Sequence, residues 1–151
     1  MAIYLVQHGL SLSENEDSER SLSGQGVADV RLIGGVACNY KVVVDTIFHS
    51  GKKRARQTAE LLAEFLNPKN GCSKRDGLGP MDDVISFADE LHCDSDMMFV
   101  GHLPFMEKLV SVLITGSSDY KPFKFQNGGI VCLDRDGDGW HVKWALMPNV
   151  G

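Results

Sequence analysis

The sequence lacks the features that mark membrane, secreted and nucleic-acid-binding proteins. Its 151 residues contain no apolar run near the roughly 20 residues that span a bilayer. The N-terminus has no basic segment, and the apolar stretch 2–6 is too short for a signal peptide. Acidic residues outnumber lysine and arginine by 20 to 15, which argues against a nucleic acid or an anionic membrane as partner. We therefore expect a cytoplasmic protein that binds neither.

Cysteine is sparse and widely scattered. The four cysteines are Cys38, Cys72, Cys93 and Cys132. Because no two form a CxxC pair, their spacing favours neither a disulfide framework nor a clustered zinc site. The acidic segment 134–139 matches the start of an EF-hand loop, but Ala145 stands where the bidentate glutamate belongs. Asp-Gly pairs are typical of hairpin turns, so we expect a turn there, and neither a metal nor another cofactor.

Short β-rich runs alternate with helical segments along the chain. The predicted strands are 2–7, a second one within the β-rich stretch 42–49, and 96–100, with a hairpin of 128–133 and 140–146. The predicted helices are 24–39 after an N-cap at Ser23, 52–66 up to Asn67-Pro68, one capped by Asp82 or Asp83 through Leu91, and 104–114 with Pro104 first. Such alternation predicts one α/β domain over 1–151, a three-layer α/β/α sandwich with a mostly parallel sheet.

Chemically versatile residues follow the predicted strands. His8 and Gly9 end the first strand, Arg54 falls on the first turn of the helix after the second, and His102 precedes the helix after a later strand. Carboxyl ends of parallel strands meet at one sheet edge, where α/β proteins bind ligands. A guanidinium fork and a helix N-terminus both suit phosphate, and glycine lets an anion approach the backbone. Arg20, which precedes the next helix, is expected to face the same cleft.

Each of these residues also has a purely structural explanation. Arg54 lies in the basic run 52–56, which suits a solvated helix face. His102 suits a loop or a helix cap, and Ser23 beside Arg20 caps a helix. The expected meeting of all of them at one sheet edge is what favours a functional site.

Three motifs make the chain similar to a known family. They are R-A-x-Q-T at Arg54–Thr58, G-H-L-P at Gly101–Pro104 and R-x-L-S-x-x-G at Arg20–Gly26. With His8, these motifs resemble the histidine phosphatase (phosphoglycerate mutase-like) superfamily, and more closely its SixA-type phosphohistidine phosphatases. The resemblance extends from the strand before His8 to the hairpin ending near Met147.

The resemblance implies a metal-independent phosphatase with a phosphohistidine intermediate. His8 would attack phosphorus, Arg20, Arg54 and His102 would hold the phosphoryl oxygens, and water would release phosphate. The implied catalytic residues are His8 and His102, and the implied phosphate-binding residues are Gln7, Gly9, Arg20 and Arg54. The expected substrate is phosphohistidine on a protein, or a small phosphomonoester. We expect a monomer that acts in signal transduction.

Gln7 departs from the family pattern, which has arginine before the histidine. Losing one charge-assisted hydrogen bond costs about 1.5–3 kcal/mol, roughly 10- to 150-fold in rate. An arginine that acts mostly in the transition state is worth roughly 10³–10⁵-fold. Gln7 keeps a neutral donor, and Lys52, Lys53 or Arg56 are candidates to supply charge. The prediction is an active enzyme, with a pseudophosphatase that binds a phosphorylated partner as the alternative.

The general acid of the mutase-like members is also absent. Their L-x-E pattern corresponds here to 78–80, Leu-Gly-Pro. Asp76, Asp82 and Asp83 are the nearby candidates to replace it. SixA-type members lack this acid as well. Its absence disfavours alkoxide leaving groups and is better tolerated for imidazole, which is protonated readily near neutral pH.

Overall fold

The computed structural model describes residues 1–150, which form one six-stranded sheet and four helices. The strands are β1 (Ile3–Gln7), β2 (Thr46–His49), β3 (Cys72–Lys74), β4 (Met97–Gly101), β5 (Ile130–Asp136) and β6 (Gly139–Leu146). The helices are α1 (Gly24–Asn39), α2 (Lys53–Leu66), α3 (Val84–Glu90) and α4 (Phe105–Thr115). None of the helices in this range is long and apolar enough to cross a membrane.

The sheet is mostly parallel, as predicted. Its strand order is β3-β2-β4-β1-β5-β6, and the first four strands run parallel to one another. β5 lies antiparallel to β1 and forms a hairpin with β6. The register pairs Gln7 with Gly101 and His49 with Val100. The carboxyl ends of β1, β2 and β4 therefore meet at one edge, where the residues that follow them come together.

Helices cover both faces of the sheet, and the alternation of β1 explains why. Ile3 and Leu5 point into a core shared with α3 and α4, whereas Tyr4 and Val6 point into the core under α1 and α2. Side chains on a strand alternate between faces, so one apolar strand supplies both cores. Each such side chain contributes about 1.5–3 kcal/mol when fully buried. The predicted three-layer α/β/α architecture is confirmed.

The helix ends follow the capping signals. The Ser23 hydroxyl accepts a hydrogen bond from the Gly26 N–H at 3.0 Å and so starts α1. Gly34 lies within α1 and does not end it. The Phe65 ring of α2 occupies the space that a β-carbon at position 34 would take, so close packing of the two helices explains the glycine. Asn67 ends α2 in the left-handed conformation, with φ of 46°. Sequence and structure agree here because caps are local interactions.

Several element boundaries differ from the sequence prediction by one to three residues. Asp83, and not Asp82, caps α3, which ends at Glu90, one residue early. Pro104 is the cap of α4 and not its first helical residue. β5 continues to Asp136, so the hairpin turn is shorter than the predicted 134–139 segment. Pairing with β6 extends the strand through residues whose composition favours a turn.

Gly26→Ala is expected to destabilise the fold. Gly26 is buried in α1, and a β-carbon there would overlap the backbone carbonyl of Leu10, which cannot move as a side chain does. Overpacking of this kind costs about 1–3 kcal/mol. Gly24→Ala is the matched control, since a β-carbon there meets open space and alanine favours helix by up to about 1 kcal/mol. Urea unfolding of both variants tests this, and equal free energies of unfolding would contradict it.

Candidate active site

His8 lies directly beyond β1 with its backbone and ring both fixed. Its N–H donates to the Gly101 carbonyl at 2.9 Å, and its carbonyl accepts from Asn127 Nδ2 at 3.0 Å. Its ring Nδ1 lies 2.7 Å from the Gly9 carbonyl oxygen. A carbonyl only accepts, so Nδ1 carries the proton and donates. This tautomer leaves the Nε2 lone pair available at the opposite side of the ring.

Arg54 lies beside that unprotonated nitrogen. The Arg54 Nε–H donates to His8 Nε2 at 3.3 Å, a position that it reaches from the first turn of α2. Burial lowers the pKa of His8 to about 4, with smaller contributions from the positive charges of Arg54 and Arg20, against the opposing Gly9 hydrogen bond. His8 is therefore a neutral imidazole at pH 7, with a lone pair directed toward a cation.

His102 is the second histidine of the site. Its side chain is buried, with 1% of the residue exposed, and its Nε2 lies 2.7 Å from the Ser50 hydroxyl oxygen. The ring centroids of His8 and His102 are 5.1 Å apart. Burial, followed by the charges of His8 and Arg54, lowers the pKa of His102 to about 3. The pair therefore consists of two neutral rings in contact with each other.

Arg20 reaches the site from a structured loop. Its backbone is left-handed, with φ of 51°, and its N–H donates to the Asp17 carbonyl at 2.9 Å. The Asp17 carboxylate accepts from the Ser21 N–H at 3.1 Å and contacts the Ser21 hydroxyl. Gln57 of α2 accepts from the Leu22 N–H at 2.8 Å, which ties the loop to the helix carrying Arg54. This network places the Arg20 side chain at the pocket.

These side chains line one open pocket of about 310 Å³, hereafter the His8 pocket. Its wall is formed by Gln7, His8, Leu10, Ser11, Arg20, Arg54, Pro80, His102, Leu103 and Asn127. Gln7 Oε1 and His102 Nδ1 are buried without a hydrogen-bond partner among the described residues. The two guanidinium groups make the pocket suitable for a phosphoryl-sized anion.

Gly9 has a different role from the one its position suggests. Its N–H already donates to the Thr58 hydroxyl at 2.9 Å, and Gly9 is not part of the pocket wall. A β-carbon at Gly9 would lie 2.8 Å from a Val30 methyl and 3.3 Å from the Gly26 carbonyl oxygen. Close packing of β1 against α1 explains the glycine, so we do not assign it a phosphate contact.

The candidate acids lie outside the His8 pocket and share a separate cavity. Asp83 is used as the N-cap of α3, and Asp82 accepts from the Gly79 N–H at 2.7 Å. The side chain of Asp76 is 98% exposed and lies 3.9 Å from Lys74 Nζ. None of the three is placed to protonate a leaving group at His8.

The candidate replacement cations also lie outside the pocket wall. Lys53 pairs with Glu19 at 2.9 Å, and Arg56 lies 3.9 Å from Glu60. Lys52 is exposed at the start of α2 and, with the other two, lines a neighbouring cavity. The space beside Gln7 therefore has no substitute guanidinium from this segment.

The sequence did not identify Ser50 and Asn127 as site residues. It included Gln57 and Thr58 in the R-A-x-Q-T motif without assigning a function to either. Gln57 and Thr58 are explained by the contacts above, which hold the Arg20 loop and β1 to α2. Ser50 directly follows β2, so the strand-end rule that found the others also applied to it. Nothing local marks Asn127, which reaches His8 across 119 positions. Across residues 1–150, no group of three or more His, Cys, Asp or Glu side chains is arranged for a metal.

The lowered pKa of His8 gives a prediction for NMR titration. We expect its ring resonances to titrate with a midpoint near 4, well below the ordinary 6.5. Because the pKa is lower in the folded than in the unfolded protein, the contribution of His8 to the free energy of unfolding is lost as pH falls from 6.5 toward 4. His141 is the internal control, because its pairing with Asp136 at 2.9 Å raises its pKa. A His8 midpoint at or above that of His141 would contradict the assignment.

Comparison with known proteins finds chains with a similar sequence and a similar fold. No family model matches the chain. The phosphohistidine phosphatase SixA of Escherichia coli K12 is 28% identical over 156 residues, covering 98% of this chain and 94% of that protein. The protein histidine phosphatase SixA, solved with tungstate, has a TM-score of 0.85 at 25% identity and covers 98% and 97% of the two chains. A phosphoserine phosphatase of Entamoeba histolytica has a TM-score of 0.73 at 13% identity over 95% of each chain.

The fold is thus that of the histidine phosphatase, phosphoglycerate mutase-like proteins. Within that class, the chain is a homologue of the SixA phosphohistidine phosphatases over nearly its full length. The resemblance drawn from the three sequence motifs is confirmed.

Proposed function

We propose that the protein hydrolyses phosphohistidine on a partner protein through a phosphohistidine intermediate at His8. The observation that carries the proposal is the His8 tautomer, which leaves Nε2 unprotonated, with its lone pair toward the Arg54 Nε–H at 3.3 Å. A neutral imidazole is a nucleophile, and a fixed cation beside it neutralises the charge of the incoming phosphoryl group. Homology to SixA phosphohistidine phosphatases supports the same assignment.

The reaction has two displacements at phosphorus. In the first, the other ring nitrogen of the substrate phosphohistidine carries a proton taken from solvent, the His8 Nε2 lone pair forms a P–N bond, and the P–N bond to the substrate breaks, so the substrate histidine leaves as neutral imidazole. In the second, a water oxygen bonds to phosphorus, the bond to Nε2 breaks, and the water proton leaves with phosphate or solvent. Arg20, Arg54 and His102 line the pocket, and in this proposal they hold the phosphoryl oxygens in both steps.

The lining of the same pocket supports phosphohistidine over a phosphomonoester as the substrate. No carboxyl group lines it, so an alkoxide leaving group has no acid to protonate it. An imidazole leaves without that help. We expect turnover of a phosphohistidine peptide to exceed turnover of a sugar phosphate, while p-nitrophenyl phosphate, whose leaving group is stable as an anion, is also hydrolysed.

Purified protein assayed with a phosphohistidine peptide and p-nitrophenyl phosphate tests the proposal. We expect turnover of both without any added metal. The absence of turnover in the wild type, with none gained in Gln7→Arg, would overturn it.

A second candidate is a pseudophosphatase that retains a phosphorylated partner. Gln7 favours it, because its buried Oε1 replaces a guanidinium with a neutral group. This function predicts tungstate or phosphate binding that depends on Arg54, without phosphorylation of His8. Isothermal titration with tungstate, on wild type and Arg54→Ala, measures the binding. Phosphorylated His8 during turnover would exclude this candidate.

A further inference from the structure

A second cavity adjoins the His8 pocket and shares two of its residues. It has a volume of about 460 Å³, and Arg20 and Arg54 belong to the walls of both. Its remaining cations are Lys52, Lys53 and Arg56, from the start of α2. A molecule that places a phosphoryl group on His8 can therefore also contact this second cavity, hereafter the basic cavity.

The basic cavity is positive on a protein that is negative overall. Five cations and only two carboxylates, Glu14 and Glu19, line it, whereas the whole chain has a net charge of −5. Glu19 is already engaged with Lys53 at 2.9 Å. Helix α2 begins here without a side-chain cap and without an acidic residue in its first turn, which adds the positive end of its dipole. Arg56 also has a carboxylate nearby, Glu60 at 3.9 Å, but the balance of five cations against two carboxylates keeps the cavity net positive beside the phosphoryl position.

We infer that the basic cavity binds carboxylate side chains that flank the phosphohistidine of the substrate protein. The inference rests on the proposed function and adds the chemistry of the substrate surface, an acidic segment next to the phosphorylated histidine. Lys52 and Arg56 are exposed, so they can meet such side chains without burying an unpaired charge. They do not line the His8 pocket, so they discriminate between substrates without touching the transferred group.

Two peptides of equal length test the inference. Both contain phosphoryltriazolylalanine, a non-hydrolysable mimic of phosphohistidine, flanked by glutamates in one peptide and by glutamines in the other. Fluorescence anisotropy is expected to give the glutamate peptide about tenfold higher affinity for the wild type at low salt, with the preference reduced at high salt. In the Lys52→Glu/Arg56→Glu double variant the preference is expected to disappear, because the glutamate peptide loses much more affinity than the glutamine peptide, whose phosphoryl mimic still meets Arg20 and Arg54.

The matched control is Lys41→Glu/Lys69→Glu. It changes net charge by the same amount, but its exposed residues follow the C-terminal ends of α1 and α2, at the far ends of these helices. It should retain the glutamate preference. Equal affinity of the wild type for both peptides, binding of neither peptide, or equal loss of preference in both double variants would overturn the inference. Turnover of phosphohistidine is measured separately, so a preference for glutamate without turnover would contradict the proposed function alone.

Discussion

Gln7→Arg is expected to raise kcat/KM for a phosphohistidine peptide by about 10- to 150-fold, the value of one charge-assisted hydrogen bond. Residue 7 ends β1 in the wall of the His8 pocket, and its amide oxygen is buried there without a partner. A guanidinium at this position would join those of Arg20 and Arg54 around the phosphoryl group. Steady-state kinetics of the two proteins, with tungstate affinity measured in parallel, gives the result.

Two further variants separate charge from shape at this position. Gln7→Lys supplies a cation without the bidentate fork, so it should gain less than arginine. Gln7→Met keeps the length and removes the amide, so it should fall to or below the wild-type rate. A Gln7→Arg protein that binds tungstate more tightly and turns over no faster would contradict the account of residue 7.

His8→Asn is expected to lower kcat by roughly 10⁴-fold or more, as loss of a covalent nucleophile does. Asparagine keeps a polar side chain of similar size but has no lone pair at the Nε2 position. Because Arg20 and Arg54 remain in the pocket, the variant should still bind tungstate. Kinetics with p-nitrophenyl phosphate test the loss of turnover, and calorimetry with tungstate tests the retained binding. Activity within tenfold of the wild type would exclude His8 as the nucleophile.

The fold could be predicted because its determinants are local. β-rich runs, the Ser23 cap and the Asn67-Pro68 stop lie in the sequence where the elements begin and end, and they placed α1 and α2 to within a residue. The ends of the hairpin strands were predicted less accurately. Its composition favours a turn from Asp134, but cross-strand pairing continues to Asp136 against Gly139. That pairing is an interaction between segments, which composition does not reveal.

The residues of the site likewise fall into those that the sequence could predict and those that it could not. The strand-end rule brought His8, Arg54 and His102 together, because parallel register fixes which residues share an edge. Proximity in sequence to the L-x-E position did not show whether Asp82 or Asp83 acts as the general acid. Asp82 and Asp83 are taken by loop and cap hydrogen bonds. Their functions follow from turn geometry that the residue types alone leave open.

Gly9 shows that the role of a residue can depend on contacts that its sequence neighbours do not reveal. Its place after the nucleophile suggested close approach of an anion, whereas the structure gives a packing reason from α1, a helix that begins 15 positions later along the chain. Asn127 is the converse, a residue with no local signal that supports the His8 backbone. Both depend on contacts between distant segments, and the sequence specifies these only through the whole fold.

The central claim is that His8 Nε2 carries the phosphoryl group between two displacements. Mixing wild-type protein with a phosphohistidine peptide, quenching in alkali to preserve the P–N bond, and locating the label by mass spectrometry of proteolytic fragments tests it directly. The account predicts one phosphoryl group on the fragment that contains His8, formed during turnover and absent from His8→Asn. Turnover with no label on that fragment, or with the label on His102, would contradict it.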